Sequence, residues 1–260
     1  MTPWYLVDGE LPGTPALNMA VDEALFQFCH HTPASFLRLY SWDRPSFSFG
    51  ASQRIERAID RDYITAHGGA WVRRITGGKT VLHHREVTYA IVSSADCFFR
   101  DHDLLESYLL ISQVLVKALR LLDLPAELSA GSPSELSRSA NPCFSFPTRH
   151  EIEVLGRKII GSAQKRDRQA LLQHGSIPLA MDYDLYAGGS RFPAERLKQS
   201  MVPLSELTSR GAADLRAAMV TAFSDFAGTD LVPFATQRLD PTELAALEAK
   251  YESDHWNFLL

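Results

Sequence analysis

The sequence predicts an α+β fold with a mixed, largely antiparallel sheet and helices packed against it. Short stretches rich in β-branched and aromatic residues mix irregularly with stretches of helical periodicity, which favours α+β over a regular alternation of strand and helix. The 260 residues are enough for one large domain or two small ones, and 45% of them are hydrophobic. Because no repeat, low-complexity tract or strong linker divides the sequence, we expect a single domain over residues 1–260.

The first half of the chain opens with a predicted amphipathic helix, because apolar residues recur at helical spacing over residues 18–28. Alternating or β-branched residues predict four strands, and paired glycines predict a turn between the last two of them. In chain order we expect strands over 35–42 and 46–49, a helix over 55–66, a strand over 70–75, a turn at Gly77 and Gly78, and a strand over 87–92.

The second half contains the clearest predicted helix, over residues 104–122, which Pro125 ends. Charged and polar residues interrupt its apolar stretch, so it is predicted as a core helix and not as a membrane span. After it we expect an exposed serine-rich loop and a hairpin turn at Gly156, followed by two helices. These elements are the loop over 129–142, the hairpin arms over 151–154 and 158–161, a helix over 211–226, and a last helix with Asp240 as its N-cap, Pro241 first and Glu243 third.

Composition and charge argue against several classes of protein. With 26 basic and 31 acidic residues the net charge is −5, which does not suggest a nucleic-acid-binding protein. No basic segment followed by an apolar stretch begins the chain, so we expect no signal peptide and no membrane partner. Cys29, Cys97 and Cys143 lie far apart, and such sparse cysteines are typical of proteins in a reducing cytoplasm. Neither the cysteines nor the nine histidines show zinc-ligand spacing, so we expect no metal site.

Basic residues flank the paired glycines, since residues 73–79 are Arg-Arg-Ile-Thr-Gly-Gly-Lys. Paired glycines let the backbone approach a ligand and direct N–H groups at a carbonyl or phosphate oxygen. For a glycine pair alone, a hairpin turn with solvated charges is the simpler interpretation. The segment is not a dinucleotide fingerprint, because GxGxxG is absent and no helix opens after the glycines.

Residues 73–83 resemble the signature of the biotin/lipoate protein ligase and transferase superfamily, which combines paired arginines, a Ser or Thr, glycines and a His. Residues 18–25, 45–50 and 251–258 resemble other family segments, so the resemblance spans nearly the whole chain. It implies a class II biotin/lipoyl protein ligase-like catalytic domain in which residues 73–83 form one wall of an acyl tunnel. The substrate-binding residues that it implies in this segment are Arg74, Thr76, Gly77, Gly78, Lys79 and His83.

One position in this segment distinguishes branches of the superfamily, and the residue directly after the segment departs from the usual pattern. Lys79 stands where ATP-using lipoate ligases usually have a third glycine, and a basic residue there resembles the octanoyltransferases. His84 stands where an acidic residue is common, so we expect different local hydrogen bonding.

Cys143 and Lys158 are the catalytic residues that the resemblance implies. A loop cysteine by itself is usually inert, because reactivity requires a lowered pKa. Residues 151–164, however, resemble the family segment that carries the essential lysine, at the position of Lys158. In the cysteine-dependent octanoyltransferases the nucleophile precedes that lysine by the interval that separates Cys143 from Lys158, whereas lipoate ligases generally lack the cysteine. The chain therefore resembles the octanoyltransferases.

The same resemblance implies more of the substrate pocket. The implied residues are Gly161, Ser162 and Ala163, together with His174 and Gly175 on the next strand. For His174, orienting the substrate and satisfying a local hydrogen bond both stay open. Three basic residues nearby are expected in a solvated charged turn or against the acidic surface of a carrier domain. They are Lys165, Arg166 and Arg168.

The implied chemistry is a two-step transfer through an acyl-enzyme. A thiol with a pKa near 8.5 is only a few per cent thiolate at neutral pH, and a nearby ammonium favours the thiolate. Cys143 would attack the thioester of an acyl carrier protein, and a lysine of a lipoyl domain would then attack the acyl-enzyme. The acceptor would be glycine-cleavage H protein or a 2-oxoacid dehydrogenase E2. Lys158 would donate to the developing oxyanion, and no cofactor would be required because thioester aminolysis is downhill.

Four alternatives remain at this point. An ATP-dependent lipoate–protein ligase would use ATP and Mg and would not depend on Cys143. A lipoyl-domain-to-lipoyl-domain amidotransferase would use Cys143 with a different donor. A non-catalytic relative, such as one half of a bipartite enzyme, would bind without transfer. Biotin transfer is a fourth, because the fold alone does not determine the acyl group.

Overall fold

The computed structural model of the protein describes residues 2–9, 11–129 and 151–259. Its strands are β1 (Trp4–Val7), β2 (Ser35–Tyr40), β3 (Ser46–Phe49), β4 (Ala70–Arg73), β5 (Val81–His83), β6 (Glu86–Ser94), β7 (Ala126–Leu128), β8 (Ile152–Val154), β9 (Arg157–Arg166), β10 (Ala170–Pro178) and β11 (Val232–Pro233). Its α-helices are α1 (Pro15–His31), α2 (Ile55–Ala58), α3 (Arg61–Ala66), α4 (Leu104–Arg120), α5 (Tyr183–Ser190), α6 (Ala194–Ser200), α7 (Ala212–Ala227), α8 (Pro241–Glu252) and α9 (Asp254–Asn257).

The main sheet has the strand order β11-β1-β2-β6-β10-β9-β8-β7 in the described part of the chain. β1 is parallel to β2 and to β11, and the other neighbouring pairs are antiparallel. A smaller sheet has the order β4-β3-β5, in which β3 is parallel to β4 and antiparallel to β5. The predicted mixed, largely antiparallel sheet is therefore confirmed.

Helices cover both faces of the main sheet because successive side chains of each strand point to opposite faces. On β6, Tyr89 and Ile91 pack into the core that includes residues of α4 and α7. Ala90 and Val92, one residue along in each case, pack into the core that includes residues of α1 and α8. A third cluster surrounds the small sheet. This arrangement confirms the predicted α+β class.

The helix boundaries follow from their caps. Asp103 and Glu106 form a capping box at the start of α4, and this helix ends at Arg120, before Pro125. Asp240 Oδ1 accepts hydrogen bonds from the first-turn backbone N–H groups of α8, which confirms the predicted start of the last helix. The structure also confirms α4 as a core helix, and no helix among the described residues is both long and apolar enough to cross a bilayer.

The prediction of one helix over residues 55–66 was wrong, because the chain forms two short helices, α2 and α3. Between them the backbone N–H of Asp60 donates to the carbonyl of Gly189 at 2.8 Å and does not join an intrahelical bond. The Asp60 carboxylate instead accepts from the backbone N–H of Tyr63 and caps α3. A tertiary contact therefore restarts a helix that the apolar periodicity predicts as continuous.

The predicted hairpin after residue 150 is confirmed: β8 and β9 are antiparallel, with Leu155 and Gly156 at φ of 52° and 73° in the turn. The predicted charged turn was wrong for two of its three residues. Lys165 and Arg166 belong to β9, and Arg166 Nη2 donates to the carbonyl of Phe99 at 3.0 Å. The charged residues that predicted a turn therefore extend β9, which packs beside α4.

Candidate active site

The floor of a cleft is formed by two cross-strand rows of the main sheet, on the face that α1 covers. The first row consists of Tyr40 of β2, Thr88 of β6, Ser176 of β10 and Gly161 of β9. The second row lies two residues along each strand and consists of Arg38, Ala90, His174 and Ala163, of which His174 and Ala163 line the cleft. Because the rows run perpendicular to the strands, the cleft crosses the sheet from β2 to β9.

The opposite wall comes from the small sheet and its glycine turn. Its lining residues are Ser48 of β3, Arg74 after β4, and Val81 and His83 of β5. Met19 of α1 also lines the cleft. Of the residues predicted from the sequence, the structure places seven in this lining. They are Arg74, His83, Gly161, Ser162, Ala163, His174 and Gly175.

His174 joins the floor of the cleft to α1 and to the glycine turn. Its Nδ1 lies 2.9 Å from Asp22 Oδ2, and its Nε2 lies 2.8 Å from Thr76 Oγ1. Nδ1 therefore donates to the carboxylate, and Nε2 accepts from the hydroxyl. Burial lowers the pKa of His174 and outweighs the contribution of Asp22, so the imidazole is neutral near pH 7.

Asp22 is the charged end of this first relay. Arg38 Nη1 lies 2.8 Å from Asp22 Oδ1, and the hydroxyl of Tyr40 donates to Oδ2 at 2.9 Å. Burial acts to raise the pKa of Asp22, but the hydrogen bond with His174 and the charge of Arg38 outweigh it and hold that pKa below its ordinary value. The carboxylate is therefore ionised and fixes the tautomer of His174.

His83 makes a second relay of the same form on the opposite wall. Its Nε2 lies 2.6 Å from Ser48 Oγ, and its Nδ1 lies 2.7 Å from Glu86 Oε1. Thr88 and Ser176 also donate to the carboxylate of Glu86, which ties this wall to the floor. The sequence predicted local hydrogen bonding different from that of the family, because His84 stands where an acidic residue is common. In the structure, the acidic hydrogen-bond acceptor on this wall is Glu86.

The guanidinium of Arg74 donates a hydrogen bond to each relay. Its Nε donates to Thr76 Oγ1 at 3.2 Å, and its Nη1 donates to Ser48 Oγ at 2.8 Å. Nη2 donates to the carbonyls of Gly77 and Lys79 at 2.8 and 3.0 Å. These hydrogen bonds fix the guanidinium of Arg74 between the two relays and the glycine turn.

The glycine turn wraps around Arg74. Gly78 has a φ of 90°, a left-handed conformation that favours glycine, and a Cβ on Gly50 would meet the Gly78 carbonyl at 2.1 Å. Gly77, Gly78 and Lys79 are not among the residues that line the cleft. The carbonyls of Gly77 and Lys79 accept hydrogen bonds from Arg74, so in this structure the turn holds the arginine side chain without lining the cleft itself.

The preceding arginine, Arg73, binds the C-terminal segment. Its backbone N–H donates to Asn257 Oδ1 at 2.8 Å, and its Nη2 donates to the Asn257 carbonyl at 2.9 Å. Trp256 Nε1 in turn donates to the Arg73 carbonyl at 2.8 Å. Of the two adjacent arginines only Arg74 reaches the cleft, because neighbours on a strand point to opposite faces.

Lys158 lies on β9, three residues before Gly161, and is not among the cleft-lining residues. Its Nζ lies 2.5 Å from Glu151 Oε1, and the two side chains are 4% and 8% exposed. Its carbonyl accepts from the backbone N–H of Val202 at 3.0 Å. Cys143, the predicted nucleophile, lies outside the described residues.

The close approach of three strands shapes the floor at Gly175. A Cβ at this position would lie 2.5 Å from the ring of Tyr89 and 2.6 Å from the carbonyl of Gly161. The hydroxyl of Tyr89 lies 2.7 Å from Ser162 Oγ. Glycine is therefore needed at position 175 for β6, β9 and β10 to pack at this spacing.

The other two cysteines show no reactive environment. Burial raises the pKa of the Cys29 thiol to about 12, and its Sγ contacts the carbonyl of Ala34 at 3.6 Å. Cys97 is half-buried in the turn after β6. Within the ranges that the structure describes, no three His, Cys, Asp or Glu side chains are grouped so that they could hold a metal ion.

Sequence reasoning missed six residues that line the cleft, which are Met19, Tyr40, Ser48, Val81, Thr88 and Ser176. It also missed three that carry the cleft's hydrogen bonds, which are Asp22, Arg38 and Glu86. A signal was present for the acids: Asp22 lies one helical turn after buried Asn18 on α1, and Glu86 begins a strand that is buried throughout. Charges at such positions indicate a buried polar network.

Comparisons with known proteins agree with this geometry. The family described as "Lipoyl protein ligase A/B catalytic domain" matches residues 14–233. The chain is 36% identical to octanoyltransferase LipM of Geobacillus kaustophilus (strain HTA426), with 98% of each chain covered. It is 38% identical to octanoyltransferase LipM of Kyrpidia tusciae (strain DSM 2912 / NBRC 15312 / T2), with 95% of each covered. Its structure superimposes on a lipoate-protein ligase A bound with ATP with a TM-score of 0.83, at 25% identity over 100% of both chains, which confirms the predicted ligase-like fold.

Proposed function

The chain belongs to the lipoyl protein ligase A/B catalytic-domain family, and we propose that it is an octanoyltransferase of lipoate biosynthesis. The octanoyl group moves from acyl carrier protein, through a thioester on Cys143, to a lysine of a lipoyl domain such as that of glycine-cleavage H protein or a 2-oxoacid dehydrogenase E2. The observation that carries this proposal is similarity over nearly the full length to proteins named octanoyltransferase.

The transfer has two balanced steps. The Cys143 thiolate attacks the carbonyl carbon of the donor thioester; a new C–S bond forms, and the thiolate of the carrier leaves and takes up a proton. The ε-amine of the acceptor lysine then attacks the same carbon; an amide forms, the amine loses a proton, and the Cys143 thiolate is released. Because a thioester is already activated, neither step needs ATP or another cofactor.

The position of Lys158 supports its role as the electrostatic partner of this reaction. Glu151 holds the Lys158 ammonium in place, and Cys143 precedes Glu151 by only eight positions in the chain. An ammonium fixed in a buried site stabilises an oxyanion more than one in water does. We assign Lys158 to the oxygen of the tetrahedral intermediate and Cys143 to the nucleophile.

The lining of the cleft supports an acyl group as its ligand. The described wall contains apolar or small side chains at Met19, Val81, Gly161 and Ala163. His174 adds no charge to this lining, because its imidazole is neutral near pH 7. A lining of this kind suits a hydrocarbon chain.

Intact-protein mass tests the proposal. Purified chain is mixed with octanoyl-acyl carrier protein without ATP, beside Cys143→Ala and the control Cys97→Ala. We expect an octanoyl adduct on the wild type and on Cys97→Ala, none on Cys143→Ala, and loss of the adduct when apo-H protein is added. No wild-type adduct would contradict the proposal.

Two further samples separate the related activities. Transfer that requires ATP, Mg and free lipoate, and that survives Cys143→Ala, would identify a ligase. An adduct formed only from an octanoylated lipoyl domain would identify an amidotransferase.

We further propose that residues 1–260 form one catalytic domain and that the protein works in the cytoplasm. The continuous main sheet supports the single domain, and the sparse cysteines support the location.

A further inference from the structure

Glu153 of β8 faces the side of the main sheet on which the cleft lies. Its neighbours Ile152 and Val154 pack into the core that includes residues of α4 and α7, and successive side chains of a strand point to opposite faces. Glu153 is paired with Lys158 across the strands, and directly paired residues share a face, with Cβ atoms about 5 Å apart. The two side chains are therefore neighbours on the cleft face of the sheet.

A bulge in β9 turns Lys158 to this face. The register between β8 and β9 shifts by one residue, so Ile159 is extra on β9, and Ile159 and Ile160 both pack into the opposite core. Without the bulge, Lys158 and Gly161, three positions apart, would point to opposite faces. With it, both are on the cleft face, at most about 10 Å apart along the strand. Glu153 and Lys158 thus lie beside the β9 end of the cleft floor.

A row of charged side chains continues from Glu153 to the edge of the sheet. Glu127 of β7, the outermost strand in the described part of the sheet, is paired with Glu153, and Lys158 is paired with Glu153 on the other side. Like charges directly opposite each other destabilise an antiparallel pair. The row holds two carboxylates and one ammonium, and that ammonium binds Glu151. Such a row attracts a cation that approaches from the edge of the sheet.

The carboxylate of Glu153 has an oxygen that is ready to accept a hydrogen bond. Glu153 is 9% exposed, and its Oε1 is buried and accepts no hydrogen bond from residues 2–9, 11–129 or 151–259. A buried polar atom without a partner costs free energy, and a donor supplied by a ligand would remove that cost. Of the two proposed substrates, only the acceptor lysine brings an amine to this carboxylate.

We propose that Glu153 is the general base of the second transfer step. The neutral ε-amine of the acceptor lysine donates a hydrogen bond to Glu153 and attacks the acyl carbon. As the C–N bond forms and the C–S bond breaks, one N–H proton passes to the Glu153 carboxylate and Cys143 leaves as the thiolate. The protonated Glu153 then gives its proton to water. This inference rests on the proposed function for the acyl-enzyme and adds a residue to its second step only.

The two half-reactions test it separately by intact-protein mass. Wild type, Glu153→Gln and the control Glu127→Gln are charged with octanoyl-acyl carrier protein, freed of donor and then mixed with apo-H protein. All three should form the adduct at similar rates. Decay of the adduct should slow about 100-fold in Glu153→Gln, a usual contribution of a general base. Glu127→Gln should decay like the wild type, because it removes an exposed carboxylate from the same row.

Hydroxylamine separates a base from a structural role. It is neutral near pH 7 and attacks thioesters without a base, so it should remove the octanoyl group from the wild type and Glu153→Gln equally fast. Equal decay of these two with apo-H protein would overturn the inference, as would a Glu153→Gln adduct that is equally slow toward hydroxylamine. If Glu153→Gln does not fold, Glu153→Ala decides: its decay with apo-H protein should be slow, and added formate should restore it.

The absence of a wild-type adduct would contradict the proposed function and not this inference. The same variants would then receive ATP, Mg, lipoate and apo-H protein, because a lysine that attacks an acyl-adenylate loses the same proton. A similar loss of transfer in Glu153→Gln would support the base. Equal transfer by the wild type and Glu153→Gln, or no transfer by the wild type with either donor, would overturn it.

Discussion

The ammonium of Lys158 lies 2.5 Å from the carboxylate of Glu151, and both side chains are buried. The pair connects β9 to the residue directly before β8. The backbone of Glu151 also binds the residue that follows the edge strand β7, since the Glu151 carbonyl accepts from the backbone N–H of Ser129 at 2.7 Å. The predicted catalytic lysine is therefore held by the residue at which the chain returns to the edge of the main sheet.

Replacing Glu151 with Gln should lower both stability and transfer. The substitution keeps the shape but removes the charge beside a buried ammonium, which we expect to lower the free energy of unfolding by about 3 kcal/mol. Because the ammonium is no longer fixed, acyl-enzyme formation should slow at least tenfold, measured by the rate of adduct formation. Glu206→Gln is the control: it removes the exposed partner of Arg157 and should cost less than about 1 kcal/mol. Equal effects of both substitutions would contradict a special role for Glu151.

Gly175→Ala should destabilise the sheet and narrow the cleft. The added methyl group would overlap the Tyr89 ring and the Gly161 carbonyl, which we expect to cost about 2 kcal/mol in urea unfolding. Gly77→Ala is the comparison, since a Cβ at Gly77 has nothing within 4 Å. Its stability should match the wild type, and a loss of transfer in that variant would then indicate that the ligand contacts Gly77. A fully stable Gly175→Ala would show that the strands can separate there.

His174 should make the protein less stable in mild acid. Burial lowers the pKa of His174 in the folded protein, whereas an unfolded histidine takes up a proton near pH 6.5. Below that pH the unfolded state binds more protons, so acidification favours unfolding. We expect the free energy of unfolding to fall by about 1 kcal/mol between pH 7.5 and 5.5, measured by urea denaturation.

The variant His174→Gln isolates this contribution. It should be less stable at pH 7.5 but should lose less on going to pH 5.5 than the wild type does. The pKa of His84 is also lowered by burial and by Arg85, so some pH dependence should remain. The exposed residue His31 provides the control, since His31→Gln should preserve the wild-type slope. An unchanged slope in His174→Gln would mean that His174 takes up its proton over the same pH range in the folded and unfolded states, which would contradict a lowered pKa.

The three cysteines should differ in alkylation. Burial raises the pKa of Cys29 to about 12, so iodoacetamide should not modify it in the native protein at pH 8. Under the proposed function Cys143 should react first, and Cys97, which is half-buried, more slowly. Peptide mass mapping after a short exposure checks the order, and labelling in urea should modify all three. Native labelling of Cys29 at the rate of Cys143 would contradict the buried position of α1.

Several features could be read from the sequence because they depend on neighbours along the chain. The periodicity of α1 and α4, the cap of α8 and the hairpin at Gly156 all arise from local interactions, and the structure confirms each of them. The resemblance also supplied most of the residues that line the cleft. Local patterns failed at Asp60, where a contact with Gly189 interrupts the predicted helix.

The two relays around Arg74 could only be found in three dimensions. Asp22 and His174 are 152 positions apart, and they meet because antiparallel pairing places β10 beside β6 under α1. The sequence by itself determined the fold class and the family resemblance, and it predicts Cys143 and Lys158 as the reactive groups. The tertiary structure decided which polar groups are buried together, because burial and pairing across strands depend on register and packing rather than on neighbours in the chain.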